Sequence, residues 1–378
     1  MIPKTMHAMV LTGHGGLDKL VHQKDWPVPS PGPGEVLVKV GACGVNNMDL
    51  NARTGWYGST VTEGMTEQVA LEGAPAGATD LGNWNREEFT FPRIQGSAIA
   101  GTIVAVGEGT EPDRVGQRVM VDPVLRDEQL PFQARGVGSI GSDTDGGFAE
   151  YAAVPASSAI QVKAKISFVE LAGFPVSHNT AEEMLARANV QAGDKVVVRG
   201  AGGGVGTALV QLARIRGATV LAIASAEKEA EVRALGASEF VARDVEDQTA
   251  AVVSVFGRRG VGVLCDVVGG ESSMEMLSLL RRGGRFVTSG ALAGPFARVD
   301  LREIIYKDLQ ILGIASPEIE TTANLVRYIE AGQITAHVDR VFPLTQLREA
   351  QRAFAEKKFI GKLVIQVSED DLSGCPVL

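Results

Sequence analysis

The sequence predicts an α/β fold in which a doubly wound parallel sheet follows a mainly-β module. Polar and apolar side chains alternate in residues 35–40, EVLVKV, which is typical of a half-buried strand. From near residue 165, strand and helix patterns alternate, and glycine ends the helices. A cluster of glycines at 200–206 joins the first strand and the first full helix of that alternation.

The individual elements follow from the same patterns. In the first module, further β stretches broken by glycine turns cover 98–107, 113–121 and 146–162. In the second module, a helical pattern with a break near Pro175 covers 167–188. Strands are then predicted at 195–200, 219–225, 261–270 and 285–291, and helices at 205–217, 227–236 and 272–284. Residues 343–367 predict a helix and then a strand that returns to the first module. The expected domains are residues 1–160, completed by 316–378, and residues 161–315.

Composition argues against several classes of function. The 378 residues carry a net charge of −9, so a basic surface for nucleic acid or an anionic membrane is not indicated. No apolar run approaches the ~20 residues of a membrane span, and the N-terminus lacks the apolar core of a signal peptide. Cys43, Cys265 and Cys375 are far apart and odd in number, which argues against a disulfide framework and favours the cytoplasm. The expected partner is a small molecule.

The glycine cluster predicts a phosphate-binding turn. Its members are Gly200, Gly202, Gly203, Gly204 and Gly206, with Val205 among them. After a strand and before a helix, such glycines permit a tight turn and let backbone N–H groups approach a pyrophosphate. The alternative is a strand–helix turn that binds no ligand, and the complete set of alternating units around the cluster argues against it.

The end of the second strand indicates which nicotinamide cofactor would bind. An acidic residue there would accept hydrogen bonds from the ribose of NAD, but this chain has Ala224 and Ser225. Ser225, Lys228 and Arg243 together suit a phosphate, so we expect NADP(H) rather than NAD(H). For Lys228 alone, a solvated helix charge is the competing interpretation.

Six motifs in order make the chain resemble the medium-chain dehydrogenase/reductase superfamily, in its zinc-free, quinone oxidoreductase-like branch. They are ACGVNNMDLNARTGWY (42–57), GSAIAGTIVAVG (96–107), GDKVVVRGAGGGVG (193–206), VLCDVVGG (263–270), RRGGRFVTSGALAG (281–294) and FIGKLVIQV (359–367). The resemblance implies a Rossmann doubly wound parallel sheet and a GroES-like β-rich domain. It also implies a homodimer or homotetramer.

The same resemblance implies that the catalytic zinc of related alcohol dehydrogenases is missing. Their first ligand position holds Asn46 here and their second holds Ser97. The third falls near PVSHNTAEE (175–183), which contains no cysteine, and the four-cysteine cluster of the structural zinc is absent from the sequence. Amide and hydroxyl groups are poor zinc ligands, so we expect no metal.

The candidate catalytic residues are Asn46 and Tyr57. The amide of Asn46 can donate to a carbonyl oxygen, and Tyr57 matches a tyrosine with which enoyl reductases of this branch place or protonate substrate. A pocket-wall aromatic is the alternative for Tyr57. By resemblance, the nicotinamide would contact Val268, Gly269, Ser289, Gly290, Ala291 and Thr180. For Thr180, a helix-capping role is the alternative, because TAEE fits a capping box.

The expected activity is NADPH-dependent reduction of an electron-poor carbon, as in an α,β-unsaturated carbonyl or a quinone. Two alternatives stay open: a zinc-independent alcohol dehydrogenase or carbonyl reductase, and an NADPH-binding protein without turnover. Residues 58–93 fit no regular pattern. We expect either a lid that brings Trp84, Phe89 or Phe91 into the cleft, or an excursion that is mobile or contacts another subunit.

Overall fold

The computed structural model describes residues 1–74, 82, 88–131 and 135–368. Its strands are β1 (Thr5–Leu11), β2 (Leu20–Pro27), β3 (Glu35–Gly44), β4 (Arg93–Ile94), β5 (Ala98–Val106), β6 (Arg118–Val121), β7 (Val124–Arg126), β8 (Gly136–Ser139), β9 (Tyr151–Pro155), β10 (Ala159–Gln161), β11 (Lys195–Arg199), β12 (Thr219–Ala224), β13 (Glu239–Ala242), β14 (Val261–Asp266), β15 (Leu280–Thr288), β16 (Gln310–Gly313), β17 (Val338–Pro343) and β18 (Lys362–Gln366). Its α-helices are α1 (Asn47–Thr54), α2 (Glu67–Glu72), α3 (Phe168–Leu171), α4 (Ser177–Arg187), α5 (Gly204–Ile215), α6 (Glu229–Ala234), α7 (Gln248–Phe256), α8 (Glu271–Glu275), α9 (Leu301–Lys307), α10 (Ile319–Glu330) and α11 (Leu347–Glu356).

The β-rich half is organised around β3. This strand pairs antiparallel with β5, β9 and β18 in a seven-stranded sheet of order β10-β6-β5-β3-β18-β17, with β9 beside β3. Val36, Val38 and Val40 are fully buried, as the pattern of EVLVKV predicts, but Leu37 and residues 41–44 are buried too. The strand is therefore more deeply buried than the half-buried strand that the sequence predicts. β18 therefore brings a segment from the far end of the chain into the centre of this half.

The second half contains a six-stranded parallel sheet. Its order is β13-β12-β11-β14-β15-β16, which counts as 3-2-1-4-5-6 along the chain. In β11, Val196 and Val198 join one buried cluster and Val197 joins another, so the strand is apolar on both faces. The strand order reverses between β11 and β14, and ligands of such sheets bind at the carboxyl ends of the strands at that point. The predicted fold class is confirmed.

Most predicted elements form, and the disagreements have local causes. The break near Pro175 separates α3 from α4. The helix predicted at 272–284 is wrong beyond residue 279, because Leu280 already pairs with Val261 and begins β15. Gly283, with a φ of +68°, cannot continue a helix. β16 and β17 have no clear strand pattern in the sequence.

The two halves meet where the end of the chain crosses the glycine turn. The Gly361 N–H donates to the Gly202 carbonyl at 3.0 Å. Gly361 has a φ of +71°, and a Cβ there would lie 2.1 Å from the His337 carbonyl oxygen, so this position requires glycine. The next residue, Lys362, consequently points into the junction between the halves. Within the described ranges, the structure contains no helix with the length and hydropathy of a membrane span.

Candidate active site

A cavity of about 600 Å³ lies between the two halves. The β-rich half and the segment that completes it contribute Asn46, Trp56, Tyr57, Val124 and Lys362 to its wall. The α/β half contributes Thr180, Gly204, Val205, Ser289, Gly290 and Ala291. Eight of the predicted site residues therefore line one cavity: Asn46, Tyr57, Thr180, Gly204, Val205, Ser289, Gly290 and Ala291.

The glycine turn has the geometry of a phosphate-binding loop. A Cβ at Gly206 would lie 2.1 Å from the Gly200 carbonyl oxygen, so glycine lets α5 pack against the end of β11. Gly203 precedes α5, and no side chain in the described ranges caps the N–H groups of its first turn. Gly204 and Val205 in that turn line the cavity. An anionic group of a dinucleotide fits this end of the cavity, because the helix dipole and the open N–H groups favour negative charge.

The predicted 2′-phosphate residues gather at the end of β12, away from the cavity. The Lys228 ammonium donates to the carbonyls of Lys357 at 3.1 Å and Phe359 at 2.5 Å, which leaves one N–H for a ligand. Ser225 is buried and makes a side-chain hydrogen bond with Glu227. A hydrogen bond from its own backbone N–H lowers the pKa of the Glu227 carboxyl, and the Ser225 hydrogen bond and the cations Lys228 and Arg243 act in the same direction. The sequence prediction placed this acid in the following helix and overlooked that its carboxylate would oppose a phosphate.

The other predicted cofactor residues surround the cavity at different depths. Gly202, Gly203 and Gly206 form the turn itself, whereas Val268 and Gly269 lie behind the cavity wall. The Ala293 N–H donates to the Val268 carbonyl at 2.8 Å, and Val267 lines the cavity in place of Val268. The capping role considered for Thr180 is wrong, because α4 begins at Ser177 and Thr180 lies inside its first turn.

Arg199 was missed by the sequence prediction, and it holds the loop after β14 in place. Its guanidinium donates to the Gly269 carbonyl at 3.0 Å and to the Ser272 hydroxyl at 2.5 Å. It also pairs with the buried carboxylate of Asp266 at 3.4 Å. A charged residue at the end of an otherwise apolar strand is the signal that could have indicated this role.

Asn46 is buried in the cavity wall with its amide held at both ends. Its Nδ2 donates to the Gly44 carbonyl at 3.0 Å, and its Oδ1 accepts from the Lys362 ammonium at 2.5 Å. Its backbone N–H donates to the Asp49 carboxylate at 2.8 Å. Asp49 therefore fixes the turn from β3 into α1.

Lys362 is a cavity residue that the sequence prediction overlooked. It is 3% exposed and also donates to the Val45 carbonyl at 2.9 Å. Burial lowers the pKa of its ammonium to about 8, although Asp49 opposes that shift. Burial likewise raises the pKa of Asp49 to about 7. A lysine directly after glycine in an apolar strand, IGKLVI, is the signal that could have found it.

Tyr57 lines the cavity, and its hydroxyl is protonated at neutral pH. Burial raises the pKa of the phenol to about 12, while a side-chain hydrogen bond with Asn51 acts in the opposite direction. The ring lies edge-on to Trp56, with the centroids 5.9 Å apart. At neutral pH the hydroxyl is therefore a hydrogen-bond donor in the same cavity as Asn46.

The residues at the zinc positions do not fit a zinc ion. Oδ1 is the only atom of the Asn46 side chain that can ligate a cation, and the Lys362 ammonium already occupies it. Ser97 is buried, and its hydroxyl has no partner among the described residues. Across those residues no group of three or more His, Cys, Asp or Glu side chains is arranged to hold a metal ion. We derive no step through zinc.

The described part of residues 58–93 touches the α/β half near the cavity. The Met65 N–H donates to the carbonyl of Leu292, a cavity-lining residue, at 2.8 Å. The prediction that Phe89 or Phe91 enters the cleft is wrong, because their rings pack on each other and on His14. Trp84 lies outside the described residues.

Comparison with known proteins places the chain in a family. Residues 32–164 match the alcohol dehydrogenase GroES-like domain, and residues 204–331 match the zinc-binding dehydrogenase model. The human synaptic vesicle membrane protein VAT-1 homolog is 28% identical over 95% of this chain and 86% of its own length. The chloroplastic NADPH-dependent alkenal/one oxidoreductase of Arabidopsis thaliana is 27% identical over 96% of this chain and 80% of its own length.

The similarity extends to solved structures. A crystal structure of a proposed alcohol dehydrogenase from Sinorhizobium meliloti 1021 is 43% identical, covers 97% of both chains and has a TM-score of 0.87. Identity at this level over nearly the whole length confirms the resemblance to the superfamily that the six motifs indicate. The chain belongs to the medium-chain dehydrogenase/reductase superfamily of nicotinamide-dependent oxidoreductases.

Proposed function

We propose that this protein is an NADPH-dependent reductase of an activated C=C bond, as in an α,β-unsaturated carbonyl, or of a quinone, and that it works without zinc. The observation that carries this proposal is the state of Asn46. Its oxygen is committed to Lys362, so the amide nitrogen is the group that it offers to a ligand. A hydrogen-bond donor at this position suits a substrate oxygen that gains negative charge.

The proposed chemistry follows from that donor. When bound, NADPH supplies a hydride to the electron-poor carbon of the substrate. Negative charge then develops on the conjugated carbonyl oxygen, and the Asn46 N–H stabilises it. The Lys362 ammonium, 2.5 Å behind the amide, adds a positive potential in a desolvated place. Tyr57, protonated in the neutral range, donates the second hydrogen bond or the proton.

The preference for NADPH rests on Ser225, Lys228 and Arg243. The remaining Lys228 N–H and the Arg243 guanidinium offer donors for a 2′-phosphate. The name of the Arabidopsis relative states that it uses NADPH. Glu227 opposes the phosphate, so we expect a moderate preference for NADPH rather than exclusion of NADH.

We also infer that two copies of this chain associate through the open edge of the parallel sheet. β16 is one of the two edge strands of this sheet, and an edge strand can pair with an identical edge. Exposed apolar side chains lie in α9 and β16 beside it: Leu301, Ile305, Tyr306 and Ile311. A second copy would cover them and complete the main-chain pairing.

Comparison of three substrates tests the activity. Initial rates are measured in three assays: a linear enone with NADPH, a benzoquinone with NADPH, and the allylic alcohol of that enone with NADP⁺. Each assay is run with protein taken before and after dialysis against a chelator. We expect turnover of the enone or the quinone that the chelator leaves unchanged. Turnover of the alcohol alone, lost on chelation and restored by zinc, would overturn the proposal. Stoichiometric NADPH binding with no turnover of any acceptor would favour a binding protein.

A further inference from the structure

We propose that Lys362 is a positioning residue that fixes which end of the Asn46 amide meets the substrate. This inference rests on the proposed function, because it assigns Lys362 a role through the donor that the reaction uses. The two ends of an asparagine side chain have nearly the same shape but opposite hydrogen-bonding character. Something must therefore decide whether the NH₂ group or the oxygen is available to a ligand.

The contacts of Lys362 determine the orientation of the Asn46 amide. An ammonium has three N–H donors and no acceptor, so the amide atom beside it must be the oxygen. The observed contact joins Nζ to Oδ1 at 2.5 Å. The opposite orientation would place the NH₂ group of Asn46 against a buried cation and would direct its oxygen at the Gly44 carbonyl. Both contacts would then be repulsive.

Fixing the oxygen leaves the nitrogen as the donor. One of the two Nδ2 hydrogens is directed at the Gly44 carbonyl, 3.0 Å away. Within the described ranges, the other has no acceptor, and Asn46 lines the cavity. The cation on the oxygen also polarises the amide, which makes the remaining N–H a stronger donor.

The surroundings of the lysine stem form a slot built around it. A Cβ at Gly204 would lie 2.8 Å from the Cδ atom of Lys362, and a Cβ at Gly44 would lie 3.4 Å from its Cε atom. Glycine at position 204 thus admits the four-carbon stem beside the phosphate-binding turn, whereas a Cβ at position 44 would make only an ordinary van der Waals contact with it. Lys362 is 3% exposed and Asn46 is 5% exposed, so water cannot replace the contact easily.

The charges that face Lys362 make the contact persistent. Asp49 in α1 favours the charged ammonium, and so would a thiolate at Cys43 in β3. His178 in α4 is neutral, because burial and the lysine itself lower the pKa of its imidazole to about 3. Lys362 donates to the Val45 carbonyl and to Asn46 Oδ1, and both contacts remain whether the amine carries two hydrogens or three.

The test is a double-mutant cycle with Lys362→Met, Asn46→Ala and the combination of the two. Lys362→Met keeps the stem and removes the donors. We expect kcat to fall by ~10–100-fold, a part of the loss seen when an oxyanion donor is removed, while the NADPH Kd stays within about threefold. The double mutant should be no slower than Asn46→Ala. Lys362→Arg retains a donor-only side chain and should recover part of the rate.

Two outcomes would overturn the proposal. Losses that multiply in the double mutant would show that Lys362 acts independently of Asn46. A rise of about tenfold or more in the NADPH Kd, without a change in kcat, would make Lys362 a phosphate contact instead. If Lys362→Met does not fold, Asn46→Asp tests the donor directly. It keeps an oxygen against Lys362 but offers no N–H, and it should match the low kcat of Asn46→Ala.

A readout without turnover separates this proposal from the proposed function. In protein labelled with ¹⁵N-asparagine, the Asn46 side-chain NH₂ signal is assigned by its loss in Asn46→Asp. We expect this signal to shift or broaden in Lys362→Met and to stay near its wild-type position in Lys362→Arg. An unchanged signal in Lys362→Met would refute the positioning role even in an active enzyme. A changed signal in a protein that reduces neither enone nor quinone would leave the positioning role standing and refute the proposed function.

Discussion

Replacement of Tyr57 by Phe removes one hydroxyl group and keeps the aromatic ring. The ring would still pack edge-on against Trp56, 5.9 Å between centroids, so the cavity wall is preserved. Burial raises the pKa of Tyr57 to about 12, and the phenol stays protonated throughout the neutral range. The substitution therefore deletes a donor at every pH at which the enzyme would be assayed.

The size of the loss follows from the role of that donor. A positioned general acid contributes ~10²–10⁴-fold to the rate. Because Asn46 still stabilises the developing oxyanion, we expect the lower end, a ~10²-fold decrease in kcat, which corresponds to ~2.7 kcal/mol. A pocket-wall role would instead change KM by about threefold or less and leave kcat intact.

Steady-state kinetics with an enone and NADPH, in H₂O and in D₂O, make the comparison. In the wild type, we expect kcat to be lower in D₂O than in H₂O, because Tyr57 donates a proton. We also expect deprotonation of Tyr57 to lower kcat only as the pH approaches its raised pKa. Trp56→Phe is the matched control, since it alters the wall without removing an O–H group and should act mainly on KM. If kcat of Tyr57→Phe stays within about threefold of the wild-type value, the role assigned to the hydroxyl is wrong.

Three further outcomes are expected. Arg243→Ala should raise the NADPH KM by roughly tenfold and leave the kinetics with NADH nearly unchanged. Glu227→Gln should lower the NADPH KM. Equal effects of either substitution on both cofactors would contradict the 2′-phosphate assignment. His178 has a folded pKa of about 3, against 6.5 when unfolded, so the unfolded state takes up a proton first as pH falls, and stability is lost. Urea titrations should show ~3 kcal/mol less stability at about pH 4 than at pH 7 from this residue, and a flatter dependence in His178→Phe. Light scattering should show that Leu301→Glu with Ile305→Glu yields monomers, and an unchanged mass would contradict the inferred interface.

The sequence predicts features whose causes are local. The turn from β11 into α5 needs glycine at position 200, because its φ is +83°, and at position 206, because a Cβ there would lie 2.1 Å from the Gly200 carbonyl oxygen. A requirement for glycine at such positions is visible within one short segment of the sequence. The break near Pro175 and the strand 35–40 are of the same kind, since proline geometry and side-chain alternation act over neighbouring residues.

Lys362 and Glu227 could not be placed in this way. The role of Lys362 depends on the pairing of β18 with β3, which no pattern within either strand specifies. The Glu227 carboxylate lies beside Arg243 because β12 and β13 are adjacent in the sheet, although the residues belong to different segments. The start of β15 was predicted too late for a similar reason. Residues 276–280 have the apolar spacing of a helix, but pairing with β14 begins the strand at Leu280.

The hydrogen bond between the Lys362 ammonium and the Val45 carbonyl joins atoms 317 positions apart in the chain. During synthesis, the β-rich half can begin to collapse long before Lys362 has been made, and residues 42–44 of β3 then lack their partner strand β18. The site can therefore form only after β18 has been synthesised and has paired with β3. Contacts between residues so far apart in the sequence slow folding. Fragments that contain only the first half would expose the unpaired end of β3. We expect them to aggregate or bind chaperones, and to have no activity.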